Sequence, residues 1–167
     1  MEQTIRIAGL VKESIVDGPG FRYTLFTQGC PHHCPGCHNP ETHDFAGGRL
    51  ITVDEVTEDF FKNPMLKGIT FSGGEPFAQA QVLASLAERI RAKGKDVVVY
   101  TGYTFEQLLS GIVPHAQELL AQTDLLIDGR FELEQRDLTL KFRGSANQRI
   151  LDCPRSLLEG RAVHKSL

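Results

Sequence analysis

Apolar and polar positions follow two different periods along the 167-residue chain, and the changes of period mark out its elements. Ile5 to Val11 and Arg22 to Thr27 have strand-like composition, and the second runs straight into a segment crowded with glycine and proline. From Thr52 to Asn63 the pattern is helical, with Thr52 and Glu55 reading as a capping box and Pro64 as the stop. Gly68 to Ser72 is a short apolar strand, which Gly73-Gly-Glu-Pro76 turns into a helix from Gln79 to Lys93. On that helix Val82, Leu83, Leu86 and Ile90 share one face, Glu88, Arg89 and Arg91 project elsewhere, and Gly94 ends it. Asp96 to Tyr100 encloses Val97-Val-Val99, a continuous apolar run suited to a strand covered on both faces. Helical stretches follow at Thr104 to Ser110 and His115 to Gln122, separated at Pro114, and Leu125 to Ile127 is a buried strand ending at Asp128.

This alternation predicts an α/β fold with right-handed crossovers between parallel strands. A complete eightfold barrel needs about 250 residues. The expectation is therefore an open partial (β/α) barrel, or a short open sheet, of about five or six mainly parallel strands, formed by one domain over residues 1–167. In either architecture, polar residues at the C-terminal ends of strands line the site. Four segments fall at such ends: the cysteine loop after Thr27, Ser72-Gly-Gly-Glu-Pro after Phe71, Thr101-Gly after Tyr100, and Asp128-Gly-Arg130 after Ile127. They should share one rim.

Composition narrows the classes of function. Hydrophobic residues make up 41% and charged residues 23%, ordinary for a globular protein, and the net charge of −3 offers no footprint for nucleic acid. There is no apolar span or signal-like segment, so the expected compartment is the cytoplasm. Cysteines kept reduced there point to metal or redox chemistry before disulfides. Cys153 stands apart from the others and reads as a buried packing residue.

Cys30, Cys34 and Cys37 lie on one loop whose Gly29, Pro31, Pro35 and Gly36 forbid a continuous helix. Three thiolates on a tight loop can converge on one centre, and three ligands leave a coordination position open for chemistry. Cys34-Pro-Gly-Cys37 also admits two plainer readings. One is a dithiol redox pair; the other is half of a structural zinc site completed by His32, His33, His38 or His43.

Ser72-Gly73-Gly74-Glu75-Pro76 is the second candidate segment. Two glycines after a strand let the main chain approach a ligand, and Glu75 can accept charge-assisted hydrogen bonds from an ammonium group. The same residues also suit a plain strand-to-helix turn.

Together the two segments resemble the radical S-adenosylmethionine (radical SAM) family, and Val16-Asp-Gly-Pro-Gly-Phe-Arg22 resembles its glycyl-radical-activating branch. Cys37-His-Asn-Pro-Glu-Thr-His-Asp44, Tyr100-Thr-Gly-Tyr-Thr104, Asp128-Gly-Arg-Phe131 and Phe142-Arg-Gly-Ser-Ala-Asn-Gln-Arg149 resemble the activators of anaerobic ribonucleoside-triphosphate reductases. The resemblance runs from Ile5 to Asp152. It implies that Cys30, Cys34 and Cys37 hold a 4Fe-4S cluster whose fourth iron binds S-adenosylmethionine. It implies that Gly73, Gly74 and Glu75 contact the methionyl end, with Thr101 and Asp128 near the carboxylate and ribose and Arg130 where related activators carry a lysine. The implied reaction is reductive cleavage of the cofactor to a deoxyadenosyl radical, followed by hydrogen abstraction from a glycine of the reductase large subunit. A reduced flavodoxin-like donor and oxygen sensitivity come with it.

The pattern departs from formate-lyase activators at Tyr100, an acidic position there, and at Gly36, where an aromatic residue commonly precedes the third cysteine. His38 is then the candidate neighbour for adenine, and Arg22 and Arg143 are candidates for recognising the protein partner.

Overall fold

The computed structural model describes residues 3–37 and 40–166. Among these, seven strands form one sheet: β1 (Thr4–Ser14), β2 (Arg22–Thr27), β3 (Arg49–Thr52), β4 (Gly68–Gly73), β5 (Asp96–Tyr100), β6 (Leu125–Asp128) and β7 (Arg149–Asp152). Their order is β3-β1-β2-β4-β5-β6-β7. The four central strands β2, β4, β5 and β6 are parallel, whereas β1 pairs antiparallel with β2 and β3, and β7 pairs antiparallel with β6.

The expected parallel sheet is thus its centre, flanked on both sides by antiparallel pairing. The connections explain the difference. The short Ile15–Phe21 link joining β1 to β2 has no room for a crossover, and the segment from β6 to β7 carries only a 3-10 turn at Leu133–Gln135. β3 and β7 went unanticipated because each is four residues long with a charged first residue, too short to establish a period.

Among the described residues, five α-helices lie between or after the strands: α1 (Val53–Phe61), α2 (Ala80–Ala92), α3 (Phe105–Leu109), α4 (Ala116–Leu120) and α5 (Cys153–Glu159). The capping box at Thr52 and Glu55 is formed as anticipated, and Thr104 with Gln107 builds a second one at α3. Val56, Phe60, Leu83, Leu86, Ile90, Leu108 and Leu119 from the helices pack onto Ile7, Leu25, Ile69, Phe71, Val97, Val99 and Leu126 of the sheet. Each such fully buried side chain contributes about 1.5–3 kcal/mol. Cys153 belongs to this layer, and burial pushes its thiol up to about 12.

The opposite face of the sheet is different in character. Val98, Leu125 and Ile127 pack there with Tyr100 and Ile150, next to a buried polar row. Thr24, Thr70, Val98 and Leu125 are register partners across β2, β4, β5 and β6, so they share that face.

Arg22, expected as a partner-recognition residue, is buried in this row and cannot meet a partner. Its side chain is 0% exposed; Nε donates to Thr70 Oγ1 at 2.7 Å, Nη1 to Pro19 O at 3.0 Å and Nη2 to Ile69 O at 2.8 Å, with Asp96 Oδ1 2.6 Å from Nη2. The whole guanidinium fork is used to brace the Ile15–Phe21 link against β4 and β5.

Candidate functional site

The site assembles where β2, β4, β5 and β6 end. Beyond Thr27 the cysteine loop returns on itself, its Gly29 amide donating to Thr42 O at 2.7 Å and the Cys30 amide to His43 O at 3.1 Å. The turn after β4 presses against it, with the Gly74 amide on Thr27 O at 2.9 Å and the Glu75 amide on Gly29 O at 2.8 Å. Glycine is required for this approach. Gly73 has φ +95°, and a Cβ on Gly74 would stand 2.4 Å from Gly29 O. The two glycine-bearing segments are therefore one packed unit.

A cavity of about 540 Å³ opens above this unit, bordered by Cys30, Cys34 and Cys37 on one side. Ser72, Gly73, Gly74, Tyr100, Thr101 and Gly102 border it along the strand ends. Phe131, Phe142, Arg143 and Gln148, from the segment joining β6 to β7, close the far side. The volume is that of a small-ligand site. None of the cysteines is in a disulfide. Cys37 follows a tight turn whose amide returns to Cys34 O at 3.1 Å, and Gly36 inside that turn lies where any Cβ would meet Leu133 at 2.8 Å. Gly36 also has φ +71°, a backbone conformation that a residue with a side chain rarely adopts.

Burial pushes the Cys30 and Cys34 thiols up, while main-chain amides aimed at the sulfurs work in the other direction. Those amides belong to His32 and His33 for Cys30 and to Phe131 for Cys34. Burial likewise raises the phenol of Tyr100, with the nearby Asp17 carboxylate adding to it.

The anticipated site residues divide into two groups. Cys30, Cys34, Cys37, Gly73, Gly74 and Thr101 border the cavity. Glu75 stands behind its wall: it is 0% exposed, and both oxygens are already occupied. Oε1 accepts from the Gly102 amide at 2.7 Å and lies 2.6 Å from His32 Nε2, while Oε2 accepts from Thr101 Oγ1 at 2.8 Å and the Phe77 amide at 3.0 Å.

Asp128 is also buried. It accepts from the Phe105 amide at 2.7 Å and from Arg149 at 2.9 and 2.5 Å. Arg130 is exposed on the loop beyond β6 and does not border the cavity. Its positive charge nevertheless opposes the rise of the Cys34 thiol. His38 lies outside the described residues. Arg143 does border the cavity, its Nη1 donating to Gln148 O at 3.1 Å.

Two residues gained a place that their spacing did not announce. His32 figured only as a conceivable zinc ligand, yet its ring is turned to Glu75. Arg149 closed a motif without a role, yet it holds Asp128 and reaches Glu106 Oε1 at 2.6 Å. Both bonds join residues distant along the chain, so no local signal could expose them.

The donor set can be tested against a metal group. Among the described residues, no three His, Cys, Asp or Glu side chains are grouped as a single ion requires. A four-iron cluster takes its thiolates on separate irons, and three thiols spread around one void suit that demand. The sulfur-directed amides fit a cluster as well.

Comparison with known proteins agrees with this chemistry. Residues 16–151 match the family model described as a 4Fe-4S single cluster domain. The anaerobic ribonucleoside-triphosphate reductase-activating protein of Vibrio cholerae is 39% identical over 143 residues, covering 80% of this chain and 89% of the relative. The protein of the same name from Escherichia coli K12 is 37% identical over 142 residues, covering 80% and 90%. Among solved structures, the crystal structure of QueE from Escherichia coli matches 60% of this chain and 53% of its own, at 16% identity and a TM-score of 0.49. With four-fifths of the sequence aligned to proteins of one name, and the single-cluster domain matching residues 16–151, the chain belongs to the family of anaerobic ribonucleoside-triphosphate reductase-activating proteins.

Proposed function

We propose that this protein activates the large subunit of an anaerobic ribonucleoside-triphosphate reductase as a radical SAM enzyme. The observation that carries the reading is the meeting of three thiols and the Gly73–Gly74 main chain around one cavity. When bound, the 4Fe-4S cluster supplies the electron for reductive cleavage of S-adenosylmethionine, which leads to hydrogen abstraction from a glycine of the large subunit and a stored glycyl radical there.

The protein's own part is to bind, orient and exclude water. Cys30, Cys34 and Cys37 hold the cluster, and Gly73 and Gly74 bring peptide groups to the methionyl end of the cofactor. Thr101 closes the same wall, while Asp128 and Glu75 secure it from behind; Arg130 stands on the loop beyond β6, and His38 is the proposed neighbour of adenine. Phe131, Phe142 and Tyr100 provide flat apolar surface that keeps water from the reacting atoms. No side chain is assigned as an acid or base, in keeping with hydrogen-atom transfer.

The fold, in this reading, is an open partial (β/α) barrel of radical SAM type in a single domain over residues 1–167. The open side of such a barrel admits a backbone loop of the partner, with Arg143 at its edge. A reduced flavodoxin-like protein is the proposed electron donor, and the cytoplasm the proposed compartment. No helix among the described residues is long and apolar enough to cross a membrane.

The test is anaerobic reconstitution with iron and sulfide, followed by incubation with S-adenosylmethionine, reductant and the reductase large subunit. A glycyl radical signal in electron paramagnetic resonance, with 5′-deoxyadenosine as co-product, is the expected result. A signal only on a formate-lyase-type partner, or one tightly held zinc and no iron, overturns the reading.

A further inference from the structure

One buried histidine has no role in that scheme. His32 lies between the first two cysteines of the loop, its side chain 3% exposed, and Nε2 is 2.6 Å from Oε1 of the wholly buried Glu75. The imidazole packs edge-on against Tyr103, with centroids 4.6 Å apart. Its other neighbour is Gly102, where an added Cβ would come within 2.4 Å of His32 Cδ2. Gly102 donates its own amide to the same carboxylate oxygen at 2.7 Å. The ring is thus gripped on three sides, by a carboxylate, an aromatic edge and a glycine.

Burying an imidazole and a carboxylate is no gain over two apolar side chains of similar size, so plain packing is a weak account of the pair. Its position suggests a better one. His32 borders the same cavity as Cys30 and Cys34, with its main-chain amide donating toward the Cys30 sulfur. Fixing the ring fixes the torsions that aim this amide. Hydrogen bonds to a cluster's sulfur ligands withdraw electron density and make the reduced state easier to reach.

We infer that His32 is a positioning residue for the cluster: clamped by Glu75 and Gly102, it keeps its main-chain amide on Cys30 and thereby raises the reduction potential. The inference rests on the iron–sulfur reading above and adds to it a determinant outside the ligand set. It also gives Glu75 a function that does not require contact with the cofactor.

The experiment compares wild type, His32→Ala, His32→Gln and Gly102→Ala, each reconstituted anaerobically and titrated for its cluster midpoint potential without S-adenosylmethionine or reductase. His32→Ala is expected at a more negative potential. His32→Gln, which keeps an N–H for Glu75, is expected near wild type. Gly102→Ala preserves both members of the pair but displaces the ring, and a negative shift is expected there too.

A fully loaded His32→Ala protein at the wild-type potential overturns the inference, as does a His32→Gln shift equal to that of His32→Ala. Where His32→Ala takes up no cluster, Gly102→Ala decides: a negative shift supports the clamp and an unchanged potential refutes it. A wild type that binds no four-iron cluster refutes the functional reading itself. A loaded wild type with an unshifted variant refutes only the role of His32.

Discussion

Asp128 and Arg149 face each other across the antiparallel pairing of β6 and β7, with Arg149 Nε and Nη2 on the two carboxylate oxygens at 2.9 and 2.5 Å. The carboxylate is 1% exposed and also accepts the first amide of α3, so a single pair joins the end of a parallel strand, an edge strand and a helix start. The Asp128 hydrogen bonds raise the basicity of the Arg149 guanidinium and keep it charged. This joint stands directly behind the wall of the cavity, next to Gly129.

Removing the cation leaves a buried carboxylate without its counter-charge. Arg149→Met is expected to lower unfolding free energy by about 2–4 kcal/mol. The figure sits below that for a fully buried pair because the guanidinium keeps 27% exposure. Asp128→Asn, which keeps an acceptor for the Phe105 amide, should cost less. Urea unfolding of the metal-free variants measures both.

Glu106 gives this joint a pH dependence. The hydrogen bond from Arg149 holds its carboxyl below the usual carboxylate range. A carboxyl with a lower value folded than unfolded contributes its full stabilisation above the unfolded value, about 4.3. That contribution is lost as pH falls through the lower folded value. The thermal midpoint of wild type should therefore exceed that of Glu106→Gln near neutrality, and the gap should close on acidification. A gap that stays constant into acid would exclude the ion pair as its source.

The four cysteines should separate cleanly by iron and sulfide content. Alanine at Cys30, Cys34 or Cys37 is expected to abolish the cluster and reduce S-adenosylmethionine cleavage to background, with the metal-free fold retained. Cys153, the first residue of α5, with its thiol donating to Leu120 O at 3.4 Å, sits in the helix-side core. Cys153→Ala should keep cluster and turnover and cost about 1–2 kcal/mol of stability. Loss of the cluster in that variant would contradict the ligand set.

Gly74→Ala tests the seat of the cysteine loop. The new methyl carbon meets the Gly29 carbonyl, which is held on the Glu75 amide at 2.8 Å and is not free to retreat. Overpacking of this kind costs about 1–3 kcal/mol. Because the displaced main chain leads into Cys30, iron should also be lost faster to a chelator than from wild type. Equal loss rates would show that the loop and the turn move independently.

Much of this molecule is written in local pattern. The capping box at Thr52, the apolar face of α2, the valine run of β5 and the three-cysteine loop each rest on neighbours within a turn or a strand, where periodicity and turn chemistry decide the outcome. The rim was equally legible, since Cys30, Gly73, Gly74, Thr101 and Gly129 border one cavity simply because parallel strands end on the same side.

What tertiary structure alone decided is which polar side chains spend their charge inside the protein. Arg22 reads as a surface cation but is enclosed by Thr70, Ile69, Pro19 and Asp96. Glu75 reads as an acceptor for an ammonium, and in the fold it also meets His32, Thr101, Gly102 and Phe77. The antiparallel flanks belong to the same category, because β3 and β7 form only when a neighbouring edge is there to pair with them. A hydrogen bond across 21 to 48 positions of chain, as in Asp128–Arg149, His32–Glu75 and Arg22–Thr70, leaves no periodic trace. It exists only once the sheet has brought its ends together.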